Sequence, residues 1–290
     1  MFNPTPLVRY ADPAFSQDRT RYCILRLQVS EEELLLSVYD PLSASFPLLE
    51  KYTIRNGFSG LKTHEALSRI LQTHPLTRLP FKETEVIIAS PDFTLIPSAL
   101  FEESKSEEFL GISTTIKKPA ETGIENFVRQ EMKLVYSWPA SWKRAIVQAF
   151  PSATIHHYSF YLLQGILNQP SETAVYAHVQ DFREDIIVVK EGKLMFFNSF
   201  SFQSPEDFLY YILLAYDRHE LNRELIPLKL LGEIEQGSAL YSLCYKYIRE
   251  INFMNRPGNS LIPKAEGESG ELPDHFYFNL LHPGNENNQR

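Results

Sequence analysis

Several features that would announce a function are missing from this sequence. It has no run of 18 or more apolar residues, so no segment is expected to cross a membrane as a helix. Cysteine is nearly absent. Cys23 and Cys244 fall in separate predicted elements and are expected to be buried thiols of a reducing compartment, not a disulfide framework. The start, Met1-Phe2-Asn3-Pro4-Thr5-Pro6, lacks the basic and apolar stretches of a secretory signal, and the expected location is the cytoplasm. Positive charge is in deficit: 28 Lys and Arg stand against 36 Asp and Glu, a formal net charge of −8. Lys117-Lys118 is a pair with no cluster around it, so nucleic acid is not expected as a partner. The patterns HExxH, GxSxG, CxxC and GxxxxGK[ST] do not occur, which removes the commonest signatures of metal, nucleophilic and P-loop chemistry.

What is present is an ordinary globular composition, 43% apolar and 22% charged over 290 residues, enough for two domains. The 20 Phe and 15 Tyr read first as core, and second as an aromatic-rich surface for a protein partner or self-association. Two stretches read alike. In the first, Tyr22–Val29, Glu33–Tyr39 and Leu49–Arg55 read as three strands, the first with a period of two. An amphipathic helix from Leu61 to Thr73 follows, with Leu61, Ala66, Leu67, Ile70 and Leu71 in one stripe. In the second, Thr173–Val179, Asp185–Lys190 and Lys193–Phe202 are followed by a helix from Pro205. Val86–Ala89 is a short continuous apolar run, as central parallel strands are, and Leu228–Leu231 is expected as the fourth strand of the second stretch. Helices are also expected over Ser98–Phe109, Trp142–Phe150, Phe160–Leu167, Ser238–Ile248 and Asp274–Leu281. Further strands are expected near Met132–Tyr136, Ala153–Tyr158 and Ile251–Met254.

This order predicts a mixed α/β (α+β) protein of two ribonuclease-H-like domains, each a mixed five-stranded sheet with flanking helices. The expected bounds are an arm over 1–20, the first domain over 21–170, the second over 171–283 and a tail over 284–290.

The strands around Leu27 and Leu35, the segment Phe93–Phe101 and the Val179–Val189 hairpin together resemble a family of uncharacterised bacterial proteins with the actin-like ATPase fold. More distantly, the layout is similar to the actin-like proteins of pilus assembly and secretion machines. The resemblance implies a fold and no reaction. It also implies where nucleotide would be held: two hairpins, each with Asp followed two residues later by Gly, and a Gly-rich adenosine loop. The glycines would let backbone amides approach phosphate.

Those positions are poorly matched here. The first hairpin, Gln28-Val29-Ser30-Glu31-Glu32, has neither residue and adds like charge. The second, Val179 to Glu184, keeps Asp181, lacks the glycine and offers Arg183. The loop after Leu231 offers Gly232, and Gly237 just before a helix start. Asp181, Arg183, Gly232 and Gly237 are therefore the residues that would bind a nucleotide if one binds. No catalytic residue and no metal ligand is assigned. His156 and His157 point to opposite faces of one strand, and a nuclease would need more carboxylates than the Asp181 and Asp185 that flank one hairpin. The expectation is a catalytically degenerate actin-like protein that binds or scaffolds proteins and needs no cofactor. The alternative is an ATP and Mg²⁺ switch with a divergent site.

Overall fold

The chain, seen in a computed structural model, is described over residues 5–54, 61–169, 172–180, 182–256, 262 and 272–282. Its elements run β1 (Val8–Ala11), β2 (Ile24–Val29), β3 (Glu33–Asp40), β4 (Ser45–Thr53), α1 (Thr63–Thr73), β5 (Glu83–Ile88), β6 (Phe93–Pro97), α2 (Ser106–Ser113), β7 (Ala120–Phe127), β8 (Met132–Pro139), α3 (Ala140–Ala149), β9 (Thr154–His157), α4 (Tyr158–Leu167), β10 (Ala174–Gln180), β11 (Arg183–Lys190), β12 (Lys193–Ser201), α5 (Pro205–Arg218), β13 (Leu228–Gly232), α6 (Ala239–Cys244) and β14 (Ile251–Phe253). Contacts divide the chain into two units. One is Met1–Tyr161 with Gly258–Leu272 and Leu280–Arg290, and the other is Leu162–Pro257 with Pro273–Asn279. Pro170, the expected boundary, lies outside the described residues, as do Asn56 and Gly57, expected to break the third strand.

The first unit's main sheet has the order β1-β4-β3-β2-β5-β9. Strands β2, β3 and β4 form an antiparallel meander, with Leu27 opposite Leu36, while β5 and β9 run parallel to β2, with Leu27 opposite Val86 and Val86 opposite Ile155. The second unit's sheet is β12-β11-β10-β13-β14, with the same senses: Ala177 lies opposite Ile186 across an antiparallel pair and opposite Leu230 across a parallel one. Setting β1 aside, the two sheets share one strand order. The repeat read from the sequence is therefore a repeat of topology.

Local sequence explains most elements. Helix α1 buries Ala66, Leu67, Ile70 and Leu71, as their spacing requires, and packs beside α3. The N–H of Lys62 is held by the Glu65 carboxylate at 2.8 Å, and Pro75 lies just beyond the helix end. Helix α5 sets Phe208, Ile212, Ala215 and Tyr216 into a core with Val175, Ala177, Ile186, Val188 and Leu230.

Five elements differ from expectation. Residues 8–11, inside the expected arm, form β1 on the edge of β4, with Tyr10 opposite Leu49. Pairing to a neighbour, and no alternation of its own, makes this strand. The segment expected as one helix from Ser98 is two 3-10 turns before α2. Together with β6, β8 and the unexpected β7, α2 forms an inserted three-stranded layer packed on Ile96, Leu110 and Val135. Helix α6 stops at Cys244, where the amides of Lys246 and Tyr247 reach back only three residues, to the Leu243 and Cys244 carbonyls at 3.2 and 3.0 Å. Residues 274–281 are turns and not the expected helix: Tyr277 has a φ of +50°, which an α-helix does not contain, and Arg256 takes the Phe276 carbonyl at 3.3 Å.

Charged groups are buried in both sheets. Arg26 on β2 is 1% exposed. Its Nε donates to Glu85 at 2.5 Å, its Nη1 reaches the carbonyls of Leu280 and His282, and its guanidinium carbon lies 5.6 and 5.2 Å from the ring centres of Tyr39 and Tyr161. Residues 280–282 are thereby tied to the first unit. Burial, then the charge of Arg26, presses the His282 imidazole down to about 4.

Glu184 on β11 is fully buried, and neither carboxyl oxygen has a hydrogen-bond partner. Burial, then the nearby Asp185, pushes its carboxyl up to about 9. A group raised in this way supports the fold fully only below its unfolded pKa near ~4.3, and that support falls by about 1.4 kcal/mol per pH unit up to about 9. Glu184→Gln should therefore be more stable than the parent at pH 8 by urea unfolding, with the gap closing toward pH 4. A gap independent of pH would refute this.

Candidate functional site

The first hairpin connects β2 to β3, and a serine builds its turn. Ser30 Oγ accepts the amides of Glu32 and Glu33 at 3.2 and 2.9 Å, and the Ser30 amide donates to the Glu33 carbonyl at 3.0 Å. The Glu32 carbonyl accepts from Ile54 at 2.7 Å. Three amides at the tip thus have partners inside the turn, and the exposed Glu31 and half-exposed Glu32 add negative charge around it.

In the second unit, Arg183 and Gly232 both border the C-terminal end of β10: Gln180 lies opposite Arg183, and Val179 opposite Gly232. Asp181 lies outside the described residues. Arg183 bends along β12, donating to the hydroxyls of Ser199 and Ser201 at 2.8 and 3.3 Å. Gly232 has a φ of +87°, and a Cβ there would lie 2.0 Å from the Val179 carbonyl oxygen. It is glycine because two backbones touch. Its amide donates to the His275 carbonyl at 2.8 Å. His275 also bonds the Ile234 carbonyl at 2.7 Å through Nε2 and stacks on Phe253 with ring centres 4.1 Å apart. The loop expected to receive adenosine is thus bonded by the protein's own His275 at Gly232 and Ile234. Gly237 stands apart from this set, in open space before Ser238, whose hydroxyl caps α6.

The sequence reading did not single out a second arrangement, in the first unit. A cavity of about 270 Å³ is floored by Leu48, Glu50, Tyr52 and His74 and rimmed by Arg9 and Phe15. The Glu50 carboxylate accepts from Arg9 Nε at 2.9 Å, Tyr52 Oη at 2.9 Å and His74 Nε2 at 2.7 Å. The amide of Leu76 donates to His74 Nδ1 at 3.2 Å, so Nε2 carries the proton given to Glu50. Burial alone would raise Glu50, but the hydrogen bonds from His74, then Arg9 and Tyr52, outweigh it and hold the carboxyl below its usual range. The only trace in the sequence is a glutamate that directly follows the apolar Phe46–Leu49 stretch of β4. Tyr52 lies two residues on in the same strand, whereas Arg9 and His74 come from distant parts of the chain.

The two central histidines have separate surroundings. His156 stacks on Phe160 and lies 3.3 Å from Glu125, whereas the buried His157 bonds Ser159 and the Ser90 carbonyl. Among the described residues no three His, Cys, Asp or Glu side chains converge to hold a metal ion, and no helix is long and apolar enough to cross a membrane.

Two β-β-β-α-β units with matching strand order define the actin-like ATPase fold. The chain belongs to the family described as protein of unknown function DUF3822, which matches residues 12–251. A Bacteroides thetaiotaomicron protein with actin-like ATPase fold and unknown function superposes with a TM-score of 0.75 at 21% identity, over 83% of this chain and 93% of that one. Lower scores relate the chain to the PilM-PilN type IV pilus biogenesis complex (TM-score 0.48, 12% identity, 81% of this chain and 89% of that). The same holds for the ethanolamine utilization protein EutJ of Carboxydothermus hydrogenoformans (TM-score 0.44, 10% identity, 87% of each protein). Neither of these two is near enough to carry function. No curated protein matches.

Two sets of variants check these assignments. Gly232→Ala should cost on the order of 3 kcal/mol or more in urea unfolding, because backbone must move, while Gly237→Ala should stay within about 0.5 kcal/mol. Equal effects would show that the close contact at Gly232 is absent. Glu50→Gln should cost about 2 kcal/mol at pH 7, below the 3–5 kcal/mol of a wholly buried pair because Arg9 is partly exposed. A carboxyl lowered on folding supports the fold above its unfolded pKa and loses that support as pH falls through the folded one. The gap to the parent should therefore shrink below about pH 4.3, and a gap that persists there would contradict the assignment.

Proposed function

We propose that this protein is a catalytically degenerate member of the actin-like fold, a cytoplasmic bacterial module that binds or scaffolds proteins, itself included, and does not turn over ATP. The observation that carries this reading is the fate of the turn amides. Phosphate recognition in such hairpins depends on backbone N–H groups pointing at the ligand with nothing else to bond. Here Ser30 Oγ holds those of Glu32 and Glu33, and the His275 carbonyl holds that of Gly232. Arg183, which could have met a phosphate, is turned to Ser199 and Ser201. A nucleotide would have to break these bonds before making its own, and would meet the carboxylates of Glu31 and Glu32 at the first turn.

The test is thermal unfolding with and without millimolar ATP and Mg²⁺. A ligand at 100 times its Kd adds about 2.7 kcal/mol to the native state, which a melting curve resolves easily. The expected result is an unchanged Tm. A reproducible rise would establish the nucleotide switch in place of this reading.

A further inference from the structure

Helix α5 carries a second seam besides the one it buries, and we infer that two copies of this chain pair through it, antiparallel about a two-fold axis. This rests on the protein-binding reading above and names one partner and the surface it uses. The buried stripe of α5 holds Phe208, Ile212, Ala215 and Tyr216. Asp207, Tyr211, Leu214 and Arg218 form another stripe, at spacings of four, three and four, the interval of residues that meet a partner helix. Three observations favour a second copy as the occupant. First, the middle of the seam is apolar and open. Tyr211 and Leu214 are half-buried and Tyr210 beside them is 58% exposed, and an outward apolar stripe is what a docking helix covers. Second, the apolar surface continues onto β12. Phe200 stacks on Tyr211 with ring centres 4.3 Å apart and on Phe196 at 6.5 Å, so the rings are ordered before a partner arrives. Strand β12 corresponds to β4 of the first unit, which β1 covers, and among the described residues no strand lies beyond β12. Third, the ends of the seam carry opposite charge. Asp207 lies in the first turn; its carboxylate takes the Gln203 amide at 3.1 Å and makes no ion pair among the described residues. Arg218 lies exposed in the last turn, with neither hydrogen bond nor ion pair from its side chain among the described residues. An antiparallel pair sets Tyr211 against Leu214 of the second copy and Asp207 against its Arg218, each contact made twice, with the helix dipoles opposed. Glu206 and Asp217, the other charges of α5, lie about a quarter-turn off the seam.

The experiment is sedimentation equilibrium of the full-length protein from low to high micromolar concentration. The expected result is a reversible monomer–dimer equilibrium. Asp207→Arg and Arg218→Asp should each weaken the dimer by about tenfold or more, because like charges then meet at both ends of the seam. Mixed in equal amounts, the two variants should recover the parent's affinity to within about threefold, since every end of the mixed pair again faces an unlike charge. Asp207→Arg also removes a helix cap. If it does not fold, Leu214→Glu serves in its place and should weaken the dimer by about tenfold or more, while Val128→Ser, at an exposed apolar position in the β7–β8 turn, should leave it unchanged. The inference is overturned by a protein that stays monomeric, by a dimer that the charge reversals and Leu214→Glu leave intact, by an equal loss in Val128→Ser, or by a mixture of the two reversals that does not recover. Absence of a dimer would remove this surface and leave the nucleotide result above untouched, so this inference and the reading it rests on can fail separately.

Discussion

A backbone amide has one proton to donate, and the partner that takes it decides what a turn can do. In this fold the ends of the central strands are where main-chain donors would face phosphate. Ser30 closes the β2–β3 turn by accepting two of those donors with a single hydroxyl. At the end of β13, the protein's own segment around His275 does the same, taking the Gly232 amide and adding an imidazole stacked on Phe253. Both devices are ordinary stabilising contacts when seen alone. In the function proposed above, their weight comes from where they sit: each satisfies inside the protein a backbone donor at a strand end.

The same sheets tolerate charge in their interiors, and each instance has a different logic. Arg26 is surrounded by a carboxylate, two carbonyls and two aromatic rings, so its desolvation is offset on every side, and it secures residues 280–282. Glu50 is held ionised by three donors at a cavity wall. Glu184 has no such company and is held neutral by its apolar surroundings. The contrast follows from one rule: a buried carboxyl stays charged only if donors replace the water it lost.

Much of the architecture could be read from periodicity. The alternation in β2, the stripe of α1 and the apolar run within β5 are local signals, and each became the element its spacing implied. The weakness of the nucleotide motifs was also legible, because a missing glycine is visible in one dimension. What was not legible depended on partners far along the sequence. Strand β1 exists because β4 offers an edge. The segment 274–281 is not helical: Tyr277 takes a left-handed backbone and Arg256, from outside the segment, holds the Phe276 carbonyl. The Glu50 site gathers Arg9, Tyr52 and His74 from a strand edge, a sheet and a turn after a helix.

Sequence alone therefore determined that this protein is a duplicated α/β unit without the glycine-bearing turns of a phosphate cradle, because side-chain period and backbone permissiveness are properties of short stretches. Tertiary structure alone decided which donors are already bonded, which carboxyls keep their charge, and where a cavity opens beside a fixed guanidinium. Apart from the short-range bonds of Ser30 and of Tyr52, those outcomes depend on groups brought within about 3 Å across dozens of residues, as Arg9 and His74 are to Glu50 and His275 is to Gly232, and no local pattern encodes such distances.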